Sequence, residues 1–183
     1  MGHRLSKITT RTGDGGTTGL ANGERLPKTD PRFDAMGDLD ELNCQIGVVL
    51  SLQPMPRFAE PLRVIQHRLF DMGGELAIPG HAAITDAQVA ALDDLIETFN
   101  ADLPPLKEFV LPGGGALAAQ MHLARAVSRR AERSVWRVAR AASAERAHNA
   151  ASLRYLNRLS DILFVFARHF ARAHGAEVTW QRC

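Results

Sequence analysis

The sequence of 183 residues has few cysteines and few aromatic residues, and it contains no long apolar run. Its two cysteines, Cys44 and Cys183, cannot form a disulfide framework, and neither lies in a CxxC metal motif. No segment approaches the roughly 18 apolar residues of a membrane helix, and the opening residues lack the apolar core of a signal peptide. We therefore expect a cytoplasmic protein that makes no contact with a membrane.

Several common catalytic and binding patterns are also missing. The seven histidines show no HxxxH or HExxH spacing, and no Ser/His/Asp arrangement is recognisable. The net charge of +2 is too small to indicate a nucleic-acid partner. Hydrophobic content of 45% and charged content of 23% are ordinary for a folded protein. We expect one domain over residues 1–183, with an arm (1–29), a helical bundle (30–175) and a tail (176–183).

Five segments repeat apolar residues at three- and four-residue steps, as helices with one buried face do. The first helix is predicted to start at the cap Asp30 and to end before Pro54, and the second ends near residue 77. A third covers 84–100 with Thr85 as its cap, a fourth covers 116–147, and a fifth covers 148–174. Residues 1–29 have no apolar period and predict an extended loop with room for a short strand. The fold class is therefore all-α, a five-helix bundle with an extended N-terminal loop.

The N-terminal segment TTRTGDGGTTG, residues 9–19, combines glycines with threonines. Glycines let backbone N–H groups turn toward an anion, and threonine hydroxyls can reach phosphate oxygens. The segment is not a Walker A loop, because no Gly-Lys-Ser/Thr follows it. A mobile arm explains the composition equally well.

Charge is distributed unevenly along the helices. Residues 115–147 hold seven arginines against two glutamates, whereas residues 30–45 hold five acids against one arginine. Arg125 and Arg129 lie one turn apart on the fourth helix and could clamp a polyphosphate, although a solvated basic face is the other interpretation. The acidic block GDLDELN, residues 37–43, predicts a salt bridge to this arginine cluster.

The fifth helix carries polar groups beside its apolar face, because Asn157, Asp161 and Phe164 share one stripe. An asparagine there can read the edge of a base or the hydroxyls of a sugar. A polar group bonded to a neighbouring helix in the core fits the same pattern.

Taken together, five blocks resemble the PduO-type ATP:cob(I)alamin adenosyltransferases. They are TRTGDGGTT, GDLDELN, FVLPGG, RAVSRRAER and YLNRLSD, in the order and spacing of that family. The resemblance implies a homotrimer that binds ATP at each subunit interface. It also implies a Mg²⁺-dependent transfer of the 5′-deoxyadenosyl group of ATP to cob(I)alamin, with a reductase and an adenosylcobalamin-dependent acceptor enzyme as partners.

The resemblance also implies roles for individual residues. The nucleotide-binding set is Thr10, Arg11, Thr12, Gly13, Thr18, Gly19, Lys28, Arg129, Arg130, Glu132, Arg133 and Asn157. Asp40 and Arg125 match a salt bridge across the subunit interface, and Phe109 matches the aromatic residue that meets the corrin and displaces the lower axial ligand of cobalt. No residue is assigned to the metal. Gly15 stands where some members have lysine, so the resemblance assigns no phosphate contact to that position. A non-catalytic helical module that binds ATP or cobalamin and delivers it to a partner is the alternative.

Overall fold

The computed structural model describes residues 9–142 and 148–181, and five helices make up most of this part of the chain. The helices are α1 (Pro31–Ser51), α2 (Pro56–Ala77), α3 (Asp86–Ala101), α4 (Ala116–Ala141) and α5 (Ala150–Ala173). Helix α4 packs against α1 and α5, α2 packs against α1, and α3 packs against α5. The predicted all-α bundle is confirmed, with α4 at its centre. In the described part of the chain, no helix is long and apolar enough to cross a membrane.

The ends of α1 and α3 follow from local sequence signals. Asp30 lies at the N-cap of α1, and its carboxylate accepts a hydrogen bond from the backbone N–H of Arg32 at 2.9 Å. At the start of α3, the Gln88 side chain accepts from the backbone N–H of Thr85 at 2.8 Å. These bonds satisfy donors that the first helical turn leaves without partners, so both helices begin where the sequence predicts.

The boundary between α4 and α5 differs from the prediction. Helix α4 ends at Ala141, because Ala142 has an extended backbone with ψ of 141°. The rest of the predicted fourth helix, residues 143–147, lies outside the described residues. Helix α5 begins at Ala150 rather than at residue 148, and Asn149 is its N-cap. The Asn149 amide also donates to the Glu75 carboxylate and to the Ile84 carbonyl, each at 2.8 Å, so distant residues fix this boundary.

The N-terminal arm contains a small hairpin. Strands β1 (Thr17–Gly19) and β2 (Arg25–Pro27) pair antiparallel, with Thr18 opposite Leu26. The backbone N–H of Ala21 in the turn donates to the carbonyl of Ala77 at 3.1 Å. The hairpin is thereby attached to the end of α2.

Candidate active site

A cavity of about 540 Å³ opens between the loop that precedes α4 and the facing sides of α4 and α5. Phe109 belongs to its wall, and this side chain is 80% exposed. Two arginines of α4, Arg125 and Arg129, and an aromatic ring of α5, Phe164, line the same cavity. The structure thus brings together three of the residues that the sequence predicts for the site.

Arg125 lies in an aromatic and partly buried setting. Its guanidinium carbon is 5.9 Å from the centre of the Phe164 ring, and its buried Nε has no hydrogen-bond partner among the described residues. Burial, followed by repulsion from Arg129, lowers the pKa of the Arg125 guanidinium from its usual value. Among the described residues no ion pair joins Arg125 to Asp40, which lines a different groove between α1 and α2. The pairing of these two residues between subunits stays a prediction.

Arg129 is exposed on α4 and forms no hydrogen bond or ion pair within the described ranges. Asp161 lines the cavity with it, and burial raises the pKa of this carboxyl group against the opposing effect of Arg158 and Arg129. Neither Asp161 nor Phe164 was assigned to the site from the sequence. The signal was present, because both share the helical stripe of Asn157, but spacing alone could not show that the stripe faces a cavity.

Further along α4, the predicted nucleotide-binding residues divide into two groups. Glu132 and Arg133 line a second groove of about 350 Å³ with Trp136, and the amide of Asn157 donates to Glu132 at 3.4 Å, a long hydrogen bond. Arg130 points instead toward α1, where it pairs with the acidic block defined above.

The pairing of Arg130 confirms the predicted salt bridge between the acidic block and the arginine cluster. The Nε of Arg130 donates to Asp38 at 2.9 Å, and its Nη2 donates to Glu41. Hydrogen bonding to Asp38 is the main reason that the pKa of Arg130 is raised. Any nucleotide contact by Arg130 would compete with this pair.

The Gly/Thr-rich loop is folded by hydrogen bonds of its own. Gly16 has a φ of +81°, which glycine adopts without strain, and its N–H donates to the carbonyl of Gly13 at 3.1 Å. One nitrogen of Arg25 donates to the carbonyls of Thr12 and Thr17 at 2.8 and 3.1 Å. Arg25 was missed by sequence reasoning, since nothing local distinguishes it from other charged residues of the arm.

Lys28 lies across this loop. A Cβ at position 13 would lie 3.2 Å from both Cε and Nζ of Lys28, so a larger residue there would push the end of this lysine a few tenths of an ångström away from the loop. The hydroxyl groups of Thr10 and Thr12 lie 3.0 Å apart on the same segment, and both residues are exposed. No atom lies within 4 Å of the place that a Cβ at Gly15 would occupy, so this position faces open space.

In the described part of the chain, no residue of the loop lines the cavity around Arg129. No hydrogen bond or ion pair described for residues 9–142 and 148–181 joins residues 10–19 or Lys28 to Arg129, Arg133 or Asn157. The hairpin instead brings Leu26 near the C-terminal end of α4, beside Val138. Within the same described ranges, no three His, Cys, Asp or Glu side chains gather as a metal site.

Comparison with known proteins explains why these features occur together. The sequence profile of the cobalamin adenosyltransferase family matches residues 8–170. A cobalamin adenosyltransferase of Cupriavidus metallidurans is 53% identical, and the match covers 100% of this chain and 98% of that protein. A corrinoid adenosyltransferase of Mycobacterium tuberculosis is 44% identical, with 99% and 96% covered.

The fold has a counterpart among solved structures. A variant of the PduO-type ATP:corrinoid adenosyltransferase from Lactobacillus reuteri, solved with cobalamin and ATP, matches with a TM-score of 0.87 at 33% identity. The match covers 96% of this chain and 100% of that chain. Because the agreement in sequence and in fold extends over nearly its whole length, the chain belongs to the cobalamin adenosyltransferase family.

Proposed function

We propose that this protein transfers the 5′-deoxyadenosyl group of ATP to the cobalt of cob(I)alamin and releases triphosphate. The observation that carries this proposal is the cavity in which an exposed aromatic ring, Phe109, faces Arg125, Arg129 and Phe164. Apolar rings suit the face of a large flat macrocycle, and the arginines suit a polyphosphate. Membership of the family supports the same reaction.

The reaction requires little covalent chemistry from the protein. The electron pair of Co(I) attacks C5′ of ATP, the cobalt–carbon bond forms, and the C5′–O bond breaks as triphosphate leaves with its electron pair. Cob(I)alamin is itself a strong nucleophile, so no activated Ser, Cys or His is required. The protein has to align C5′ with cobalt and to stabilise the charge on the leaving triphosphate.

Stabilisation of triphosphate is assigned to cations and to backbone amides. Arg129 is suited to it, because its guanidinium is exposed and has no carboxylate partner among the described residues. The folded loop around Gly13, with the amine of Lys28 laid across it, offers a second set of donors. Mg²⁺ enters as part of the substrate, MgATP, with the phosphate oxygens as its main ligands. We assign the remaining nucleotide contacts to the set named from the sequence, with Arg130 the least free of them.

A homotrimer with ATP between subunits accounts for two features of the single chain. No described residue of the phosphate loop lines the Arg129 cavity in the single chain, so a neighbouring copy would supply the loop to the cavity. Asp40 and Arg125 have no mutual contact within the described part of one subunit, and Arg125 keeps a buried Nε without a partner. A pair between subunits would satisfy it.

Phe109 is assigned to the cobalt side of the reaction. Its ring would occupy the lower face of the corrin and keep water and the dimethylbenzimidazole away from cobalt. Loss of an axial donor lowers the energy of the orbital that accepts an electron, so Co(II) becomes easier to reduce. A reductase would supply that electron, and an adenosylcobalamin-dependent enzyme would receive the product.

The test is an anaerobic incubation in the dark with MgATP and chemically reduced cobalamin. We expect a photolabile alkylcobalamin spectrum and release of triphosphate in equal amounts. Arg129→Ala should lose this activity, whereas Met55→Ala, which changes an exposed residue outside the cavity, should keep it. Binding of both substrates without product would identify a delivery module instead of an enzyme.

A further inference from the structure

Phe109 has little packing of its own to hold it. With 80% of the residue exposed, few contacts restrict the ring. The position of such a side chain depends on the backbone that carries it. The loop that contains it, residues 104–111, has no helix or strand of its own apart from a single bridge residue, Val110.

The backbone of this loop is held by residues 177–180, which follow α5 and which we call the C-terminal strap. Val110 forms an antiparallel bridge with Thr179. The N–H of Trp180 donates to the carbonyl of Phe109 at 2.7 Å, and the N–H of Leu111 donates to the carbonyl of Val178 at 2.9 Å. Both peptide groups that flank Val110 are therefore bonded to the strap.

A buried ion pair fixes the strap to α5. The Arg168 Nε donates to one carboxylate oxygen of Glu177 at 2.7 Å, and the two side chains are 4% and 10% exposed. Arg172, one turn later, donates to the other oxygen at 2.9 Å. Arg168 also donates to the carbonyl of Pro104 at 2.9 Å, so one guanidinium joins the start of the loop to the strap.

The same region approaches α5 closely at Gly114. This residue has a φ of +93°, and a Cβ there would lie 2.5 Å from the Cβ of Ala171. The segment that follows Phe109 is thus pressed against the helix that carries Arg168. The hydrogen bonds to the strap, the contact of Arg168 with Pro104 and the close packing at Gly114 together restrain this part of the chain. Phe109 is the most exposed apolar residue of the loop.

We infer that Arg168 and Glu177 are positioning residues for the reaction, and that they set the place of the Phe109 ring through the strap. The inference deepens the proposed function and rests on the role assigned there to Phe109. Buried ion pairs seldom add much stability over apolar side chains of the same size, so this pair is better explained by the geometry that it imposes. The strap acts on the cobalt side of the site and leaves the phosphate-binding residues untouched.

The first test is Glu177→Gln, which keeps the size of the side chain and removes its charge. We expect hydrogen exchange of the Leu111 amide to become about tenfold faster or more, since this amide reports directly on the strap. The rate that starts from cob(II)alamin and a mild reductant should fall by about tenfold to a hundredfold, as expected for a misplaced group. The rate from chemically prepared cob(I)alamin and the KM for MgATP should change by less than about twofold, because the phosphate side is intact. Asp86→Asn, the same change in an exposed ion pair with Arg154, should alter none of these.

A second pair of variants avoids the buried charge, in case Glu177→Gln fails to fold. Trp180→Pro removes the N–H that bonds to Phe109, whereas Trp180→Ala removes the indole and keeps that N–H. The proline variant should reproduce the effects on Leu111 exchange and on the cob(II)alamin rate more strongly than the alanine variant.

Three results would contradict the inference. Unchanged exchange at Leu111 in Glu177→Gln and in Trp180→Pro would show that the strap does not hold the loop, whatever the activity. Equal losses from cob(II)alamin and from cob(I)alamin would mean that the strap serves substrate binding in general. A parent protein that forms no product from cob(I)alamin would overturn the proposed function and this role with it, while the exchange data would still report on the strap.

Discussion

Replacement of Phe109 by alanine should separate the two halves of the proposed reaction without harming the fold. Full burial of a phenylalanine side chain is worth about 1.5–3 kcal/mol, and Phe109 is 80% exposed, so a fifth of that value, about 0.3–0.6 kcal/mol, is at stake. For a protein of this size such a loss corresponds to a fall in Tm of about 1–2 °C. Any larger effect on activity must therefore arise from the function of the ring.

The decisive assay compares two starting points. From cob(II)alamin and a mild reductant, Phe109→Ala should show no product and no four-coordinate Co(II) signal in electron paramagnetic resonance. From chemically prepared cob(I)alamin, much of the parent activity should return, because the step assisted by the ring is bypassed. ATP binding should be nearly unchanged, since the phosphate contacts are assigned to Arg129, to Lys28 and to the loop around Gly13, and the ring supplies none of them.

A matched control removes an exposed apolar side chain outside the cavity. Met55→Ala should behave as the parent in both assays, since Met55 is 55% exposed and does not line the cavity. The reasoning is refuted if Phe109→Ala loses both activities equally with the fold intact, because the ring would then position or bind substrate. It is also refuted if the four-coordinate signal persists.

Four further outcomes are expected. Arg129→Ala should keep the fold but lose about 100- to 1,000-fold in kcat, the usual cost of one lost contact to developing charge, and parent-like turnover would remove Arg129 from the site. Single changes at Asp40 and Arg125 should each destabilise the trimer by ~3–5 kcal/mol if the pair is fully buried at the interface. Swapping the two charges should restore stability. Additive effects of the two single changes in this double-mutant cycle would exclude a pair. Tryptic cleavage near Arg11 should fall sharply when MgATP is added, and unchanged cleavage at saturating nucleotide would contradict ordering of the arm. At Glu177, burial tends to raise the pKa of the carboxyl group, but the hydrogen bonds and charges of Arg168 and Arg172 together outweigh burial and lower this pKa. The stabilisation from Glu177 is therefore complete above the usual pKa of 4.5 and is lost as pH falls through the lower folded pKa. Denaturant midpoints of the parent and of Glu177→Gln should differ most at neutral pH and converge in acid.

Much of the fold could be predicted because its signals are local. The start of α1 follows from Asp30 and Pro31, and that of α3 from Thr85, because caps act within one helical turn. The buried faces follow from apolar spacing, since a helix with one apolar stripe can bury only that stripe. The site blocks were recognisable for another reason, namely that residue types such as Gly, Thr and Arg at fixed spacings resemble a known family.

The tertiary structure decided what depends on residues far apart in the chain. The start of α5 is set at Asn149 by Glu75, which lies 74 positions earlier, and no local Pro or Gly marks it. Arg130 is held by α1, although its neighbour Arg129 is unpaired among the described residues, because the two point to different sides of α4. The placement of Phe109 follows from the ion pair of Glu177 and from the hydrogen bonds between the loop and the C-terminal strap. Hydrophobic periodicity and capping are read within a few residues, whereas the direction of a side chain and the partner of a buried charge are fixed only when the elements pack.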